Sequence, residues 1–163
     1  MRPVAPAFEP AIRTQRAAFD IAAETAALTA GRSDIGAVVS FCGLCRDEDG
    51  RLAALELEHY PGMAEAEIGR IAAQAGDRWP LAGLVVVHRY GVIAAGEAIV
   101  LVAAASTHRQ AAFEAASFMM DFLKTRAPFW KREHLADGTL GGWVEAAAAD
   151  DEAEARWSAF TPR

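Results

Sequence analysis

The chain has 163 residues and a mass of 17.4 kDa, with 53% hydrophobic and 23% charged side chains, an ordinary composition for a globular protein. Its net charge of −6 disfavours nucleic acid as a partner, and no apolar run approaches the roughly 20 residues that cross a bilayer. The proline-rich N-terminus has no apolar signal core, so we expect one cytoplasmic domain over residues 1–163, with neither a membrane nor nucleic acid as a partner.

The N-terminal half is predicted to alternate strands with helices. Asp20 is a suitable N-cap, Gly31 suits a helix end, and Pro80 stops a second helical pattern. Alternating Leu and Glu over 55–58 indicates a strand with one dry and one wet face. The expected elements are a loose arm over residues 1–10, an edge strand over 11–18, a helix from Asp20 through Ala30, a buried strand over 36–42, a half-buried strand over 52–60 and a helix over 63–79.

The C-terminal half continues this mixture. A long helix is expected to turn its apolar side chains inward, Phe113 among them, and to end before Pro128. The expected elements are strands over 84–89 and 98–105, a helix over 107–126, an extended segment over 129–133, a short strand ending at Glu145, and a helix over 150–157 within an acidic tail, 148–163. Strands and helices mixed in this way, with hairpin-like connections, favour the α+β class.

Lys124 and Lys131 are the only lysines among the 16 Lys and Arg residues, and they flank one Pro-Phe-Trp segment. A guanidinium stays charged at any ordinary pH, whereas an amine can exchange its proton. Lys124 also suits the last turn of a helix through the helix dipole, which is the purely structural alternative. We interpret the two amines as catalytic groups, acting as general acid–base or as nucleophile.

A second candidate site is Ser106-Thr-His108-Arg109, which follows an apolar strand and opens the long helix. The free N–H groups of a helix N-terminus attract anions, and a His and an Arg in the first turn oppose the helix dipole unless an anion is bound. We therefore expect His108 and Arg109 to bind a phosphate. The alternative is that Arg109 pairs with a nearby carboxylate while His108 is solvated.

Arg46 lies between a predicted strand and an acidic turn, where it can bind an anion or pair with Asp47 or Glu48. Cys42 and Cys45 form a C-x-x-C pair, a spacing found in redox and zinc sites. The residues after Cys45 predict a turn instead of the helix N-terminus that would activate a thiol, and the four histidines have no ligand-like spacing. We therefore interpret both cysteines as small apolar strand residues and expect no metal site.

Seven segments of the chain carry a specific likeness. They are Phe41-x-Gly43-x-x-Arg46, Leu57-Glu-His-Tyr-Pro-Gly-Met63, Arg78-Trp-Pro-Leu81, Val87-His-Arg89-x-Gly91, Ser106-x-His-Arg109, Phe113-Glu-Ala115 and Met120-Asp-x-Leu-Lys-Thr-Arg-Ala-Pro-Phe-Trp-Lys-Arg-Glu133. Together they resemble the catalytic (large) subunit of molybdopterin synthase, most strongly over residues 35–145. The resemblance implies an α/β-hammerhead fold of the α+β class, with a mixed or antiparallel sheet and two long helices. It also implies a dimer of large subunits, each accepting the Gly-Gly tail of a small ubiquitin-like sulfur carrier, which makes a heterotetramer.

The reaction implied by this resemblance is sulfur transfer. The carrier's C-terminal thiocarboxylate attacks a cyclic pyranopterin monophosphate, and two rounds form the dithiolene of molybdopterin, with no cofactor because the carrier supplies the sulfur. Lys124 matches the lysine beside the carrier's tail, expected to assist attack and collapse of the acyl intermediate. Lys131 matches a second essential lysine, expected to bind or protonate the substrate. The residues that match the substrate pocket are Arg46, His108, Arg109 and Arg132, and Glu133 would orient these cations.

Two places depart from the family's pattern. Ala147 stands where the family often has an arginine contributed across the dimer, so one anion contact is either absent or supplied by another arginine. Leu44 and Cys45 occupy loop positions that are frequently Lys and Val. The main alternative function is a non-catalytic scaffold that binds the carrier's tail or a pterin phosphate, and a more distant one is a thiol oxidoreductase built on Cys42 and Cys45.

Overall fold

The computed structural model describes residues 8–145 together with residues 155, 157 and 158. Within this part of the chain, the helices are α1 (Ile21–Thr29), α2 (Met63–Arg78) and α3 (Arg109–Arg126). The strands are β1 (Ala11–Gln15), β2 (Ala37–Leu44), β3 (Leu52–Glu58), β4 (Leu81–Arg89), β5 (Gly91–Ala94), β6 (Ala98–Ser106), β7 (Trp130–Leu135) and β8 (Val144–Glu145). Residues 1–7 of the expected arm, and almost all of the helix expected over 150–157, lie outside the described residues.

The described strands form two sheets. One has the order β1-β4-β6-β2, with β1 parallel to β4 and the other pairs antiparallel, and the second has the antiparallel order β5-β3-β7-β8. The two long helices α2 and α3 have 16 and 18 residues. The expected α+β class, with mixed and antiparallel pairing and two long helices, is confirmed. None of the helices described is long and apolar enough to cross a membrane.

The main core lies where α2 and α3 pack on the first sheet. The α2 side chains predicted to face inward are buried, namely Ile68, Ile71, Ala72, Ala75 and the C-cap Trp79. On α3, Met119 and Leu123 are buried as predicted, but Phe113 is 61% exposed, so its inward prediction is wrong. The buried stripe of α3 runs through Ala112, Ala115 and Phe118, and Phe113 lies beside that stripe.

Strand β2 differs from its prediction as a buried strand. It is the edge strand of the first sheet, and Val38, Phe41 and Leu44 are 36%, 42% and 59% exposed. The central strands β4 and β6 are covered on both faces, because consecutive residues of each strand are completely buried, namely Val86 and Val87 on β4 and Leu101 and Val102 on β6. Apolar composition alone does not distinguish a central strand from an edge strand that keeps an apolar face uncovered.

The start of α3 and the connection between β4 and β6 also differ from the predictions. Helix α3 begins at Arg109, with His108 as its N-cap, because Ser106 still belongs to β6 and donates its hydroxyl to the Pro80 carbonyl at 2.8 Å. The connection expected over residues 90–97 contains the strand β5, which pairs with β3. The predicted cap of α1 is confirmed, since the Asp20 carboxylate accepts from the Ala23 N–H at 3.0 Å.

Candidate functional site

Lys124 lies at the C-terminal end of α3 and lines a cavity of about 430 Å³, here called the Lys124 cavity. The helix ends at Arg126 because Ala127, which precedes a proline, has the extended dihedrals −66° and 121°. The other walls come from residues 41–44 of β2, Ile99 and Val100 of β6, and His88 of β4. These walls are mostly apolar, so the Lys124 amine lies beside a space suited to a slim, largely uncharged chain.

His88 was not singled out from the sequence as a site residue, yet it lies in the wall of the Lys124 cavity. Its Nδ1 is 2.9 Å from the Arg89 carbonyl oxygen, so Nδ1 carries the proton and donates it there. The ring stacks on Phe129 with centroids 3.9 Å apart. Burial lowers the pKa of His88 to about 4, which keeps the imidazole neutral. The feature of the sequence that could have identified His88 as a site residue is its position at the end of an apolar strand.

Lys131 lies on β7 and lines a second cavity of about 420 Å³, here called the Lys131 cavity. In the antiparallel register, Lys131 faces Leu57 of β3 on one side and Val144 of β8 on the other. The wall also includes Glu48 and Arg51 from the segment before β3. The two lysines therefore line two different cavities, whose walls include Leu44 and Glu48 respectively.

The guanidinium of Arg132 is held within the protein. Its Nε donates to the Glu56 carboxylate, which also lies 3.0 Å from Nε2 of His134, and its guanidinium lies 4.6 Å from the centroid of the Trp143 ring. The hydrogen bonds from Arg132 and His134 lower the pKa of Glu56. Arg132 lines the Lys131 cavity, but its charge is already balanced by a carboxylate.

Glu133 is bound by Arg51, a residue to which the sequence pattern drew no attention. The Arg51 guanidinium donates to Glu133 at 2.6 Å and also to Glu48. These two hydrogen bonds, that of Glu133 first, raise the pKa of Arg51. Since the bond between Arg51 and Glu133 joins residues 82 positions apart, no local sequence pattern could have revealed it.

Arg46 lies close to the Lys131 cavity. The pKa of Glu48, a wall residue, is lowered first by the hydrogen bond from Arg51 and further by the charges of Arg51, Arg46 and Lys131. Arg46 and Lys131 are thus near the same carboxylate. Within the part of the chain that the structure describes, six charged side chains are therefore brought together in or near this cavity: Arg46, Glu48, Arg51, Lys131, Arg132 and Glu133.

His108 and Arg109 are at the opposite end of α3 from Lys124, and both are exposed. An α-helix rises about 1.5 Å per residue, so the 15-residue separation places the backbones of Arg109 and Lys124 about 22 Å apart. His108 makes no side-chain capping bond to the helix. Within one chain, these two residues and Lys124 do not form a single small-molecule site.

The cysteines have the environment of apolar strand residues. Cys45 is 1% exposed, Cys42 lines the Lys124 cavity, and both thiols are free. Burial raises the pKa of both thiols, opposite to the shift of an activated redox cysteine. Among the described residues, no three His, Cys, Asp or Glu side chains are grouped so as to hold a metal ion.

Comparison with known proteins gives a consistent picture. The family model for the MoaE protein matches residues 14–126. A protein of Mesorhizobium japonicum named molybdopterin synthase catalytic subunit is 71% identical over 148 residues, covering 91% of this chain and 93% of that protein. A protein of Pseudomonas aeruginosa with the same name is 55% identical and covers 90% of this chain and 98% of its own length.

A solved structure has the same fold. The molybdopterin biosynthesis MoaE protein from Burkholderia ambifaria matches with a TM-score of 0.81 and 47% identity, covering 93% of this chain and all of that chain. The family match includes the whole wall of the Lys124 cavity, and the match to the solved structure also covers most of the remaining chain.

Proposed function

Because the chain belongs to the MoaE protein family, as a catalytic enzyme subunit of molybdenum cofactor biosynthesis, we propose that it transfers sulfur to a cyclic pyranopterin monophosphate. The sulfur comes from the C-terminal thiocarboxylate of a small ubiquitin-like carrier subunit that ends in Gly-Gly. The observation that carries this proposal is the Lys124 amine beside a mostly apolar cavity of about 430 Å³. A non-catalytic scaffold would not need an ionisable amine at that position.

The Lys124 cavity is the proposed site of the carrier's tail. A Gly-Gly segment has no side chains, so it can enter between β2 and the end of α3 and place its acyl group beside Lys124. The neutral imidazole of His88 leaves Lys124 as the charged group among the described wall residues. An ammonium in this position attracts the thiocarboxylate and stabilises the oxyanion that forms when the acyl carbon is attacked.

The proposed reaction proceeds through an acyl intermediate. The thiocarboxylate sulfur bonds to a carbon of the pyranopterin while that carbon's bond to oxygen breaks, and the oxygen leaves as water or stays on the phosphate. The sulfur remains attached to the carrier's acyl carbon as a thioester. Water then attacks the acyl carbon and the bond from this carbon to sulfur breaks, so the carrier leaves as a carboxylate and the sulfur stays on the pterin. Lys124 assists attack and collapse, and Lys131 binds or protonates the substrate. A second carrier completes the dithiolene.

The Lys131 cavity is the proposed site of the pterin phosphate. Phosphate recognition requires cations that are not already neutralised, and Lys131 and Arg46 meet this requirement better than Arg132, which is paired with Glu56. Leu44 lines the first cavity and Glu48 lines the second, so the short segment 44–48 joins their walls. The proposal requires a substrate in the second cavity to reach the acyl group in the first across this segment.

A self-dimer is also part of the proposal. His108 and Arg109 lie about 22 Å from Lys124 along α3, so they contact a substrate that reaches Lys124 only if another copy of the chain supplies them. The edge strand β2 leaves Val38 and Phe41 exposed, and Phe113 on α3 is exposed as well. A second copy would cover these apolar side chains and complete the anion site.

The test combines the purified chain with a thiocarboxylated carrier and the cyclic pterin precursor. We expect dithiolene product from the wild type and a decrease of at least about a hundredfold for Lys124→Ala, since a general acid–base group contributes on that order. Glu24→Gln on α1, which lines neither cavity, serves as the control and should retain activity. Equal product from the wild type and Lys124→Ala would refute the catalytic role and favour the scaffold.

A further inference from the structure

The Lys131 cavity contains more carboxylate than a phosphate site ordinarily tolerates. Glu48 and Glu133 both line it, and either could pair with the Lys131 ammonium and so compete with a bound anion. Their side chains are 38% and 39% exposed, so neither is enclosed by the fold. For Lys131 to bind an anion, both carboxylates must therefore be bound to another cation.

Arg51 holds both carboxylates at once. One terminal nitrogen of its guanidinium donates to Glu48 and, at 2.6 Å, to Glu133. The backbone of the preceding turn assists, because Glu48 and Asp49 have positive φ angles of 51° and 60° and Leu52 closes the turn on the Asp47 carbonyl at 2.8 Å. The turn thus places the Glu48 and Arg51 side chains within reach of each other, and Arg51 connects the turn to β7.

Lys131 is close to this group but has no ion pair among the described residues. Its charge contributes to the lowered pKa of Glu48, after the hydrogen bond from Arg51. The carboxylates that could neutralise Lys131 are instead bound to Arg51. An arginine suits this task better than a lysine because its planar guanidinium has several donors fixed in one plane.

We propose that Arg51 is a positioning residue that holds Glu48 and Glu133 away from the Lys131 amine and so leaves this amine available to the phosphate of the substrate. The inference rests on the proposed function for the identity of the substrate. It assigns a role to Arg51, a residue of the turn that precedes β3. Without Arg51, both carboxylates would compete with the phosphate for Lys131.

The test uses the full chain and inorganic phosphate as the probe. Because the chain has two lysines, labelling with ε-¹³C-lysine gives two side-chain signals, and Lys124→Arg identifies the signal of Lys131. We expect phosphate to shift this signal in the wild type. Arg51→Gln should weaken the phosphate affinity roughly fivefold, the scale of an exposed ion pair.

Two double variants of equal net charge distinguish the positioning role of Arg51 from its alternatives. Arg51→Gln/Glu48→Gln should recover most of the lost affinity, since one competing carboxylate is gone. Arg51→Gln/Glu24→Gln has the same net charge but changes a carboxylate that pairs with Arg13 on β1, and it should recover nothing. Equal affinity for the wild type and Arg51→Gln overturns the proposal, as does equal behaviour of the two double variants, which would indicate a direct phosphate contact, a structural role or a bulk charge effect.

Turnover separates this inference from the proposed function. In the dithiolene assay, Arg51→Gln should raise KM for the pterin about fivefold with a smaller effect on kcat, because the amine remains but is occupied. A wild type that binds phosphate at Lys131 but forms no dithiolene would refute the proposed function and leave the role of Arg51 in anion binding intact. A decrease in kcat alone would contradict the positioning role.

Discussion

Four consecutive residues of β7, from Lys131 to His134, are ionisable, yet they meet different partners. Side chains alternate between the two faces of a strand, so Arg132 and His134 both reach Glu56 on β3. Lys131 lines a cavity, and Glu133 binds Arg51. The sequence identified Lys131, Arg132 and Glu133 as functional candidates, but which of the cations are paired within the protein depends on partners far away along the chain.

At the residue scale, His88 predicts a pH dependence of stability. Its pKa is about 4 when folded and about 6.5 when unfolded, so the unfolded chain binds the proton first as the pH falls. Stability is therefore retained above pH 6.5 and lost progressively towards pH 4, by on the order of 3 kcal/mol for this group. Urea unfolding of His88→Phe should show a smaller pH slope in this window than the wild type.

The control for this measurement is Phe122→Leu, which removes core packing without removing a titrating group. It should lower the free energy of unfolding at every pH and leave the slope unchanged. If His88→Phe and the wild type have the same slope, His88 does not titrate in the way that desolvation of its ring requires.

At the element scale, the position at which α3 begins is fixed by contacts between the residue before β2 and the residues before α3. Gly36 precedes β2, and its N–H donates to the Ser106 carbonyl at 3.0 Å. A Cβ at Gly36 would lie 2.2 Å from the Thr107 carbonyl oxygen, far inside contact distance. The sequence predicted the helix and its C-terminal end correctly, because proline acts locally. It placed the N-terminal end two residues early, because the end of β6 is set by sheet pairing.

Gly36→Ala should therefore destabilise the protein by about 1–3 kcal/mol through overpacking against fixed backbone. Gly69→Ala is the matched substitution, and it is expected to change the stability in the opposite direction. Gly69 lies inside α2 with nothing within 4 Å of a new Cβ, so alanine should stabilise by about 0.5–1 kcal/mol. Thermal unfolding of both variants tests this difference, and destabilisation by both would contradict it.

At the scale of the whole molecule, α3 separates two groups of proposed site residues. Lys124 is at one end and His108 and Arg109 are at the other, about 22 Å away. A helix is rigid over this length, so no side-chain rotation brings the groups together. The dimer proposed above is the arrangement in which both groups act on one substrate.

Mixing two inactive variants tests this arrangement. Lys124→Ala and His108→Ala/Arg109→Ala should each have little activity alone. After subunit exchange, about a quarter of the wild-type activity should return, since half of the dimers are mixed and each mixed dimer has one intact site. The dithiolene assay measures the recovery. No recovery, with exchange verified by mass spectrometry of mixed dimers, would place all the residues in one chain.

The sequence by itself determined the class of fold, most helix and strand positions and the family resemblance, and it singled out two lysines as candidate catalytic groups. Caps, prolines and periodic side chains act over a few residues, so their effects can be derived from local order. Only the tertiary structure decided that the lysines line separate cavities, that Arg51 binds Glu133 across 82 positions, and that His88 lies beside Lys124. These relations depend on strand pairing and helix packing between distant segments, for which neighbouring residues carry no signal.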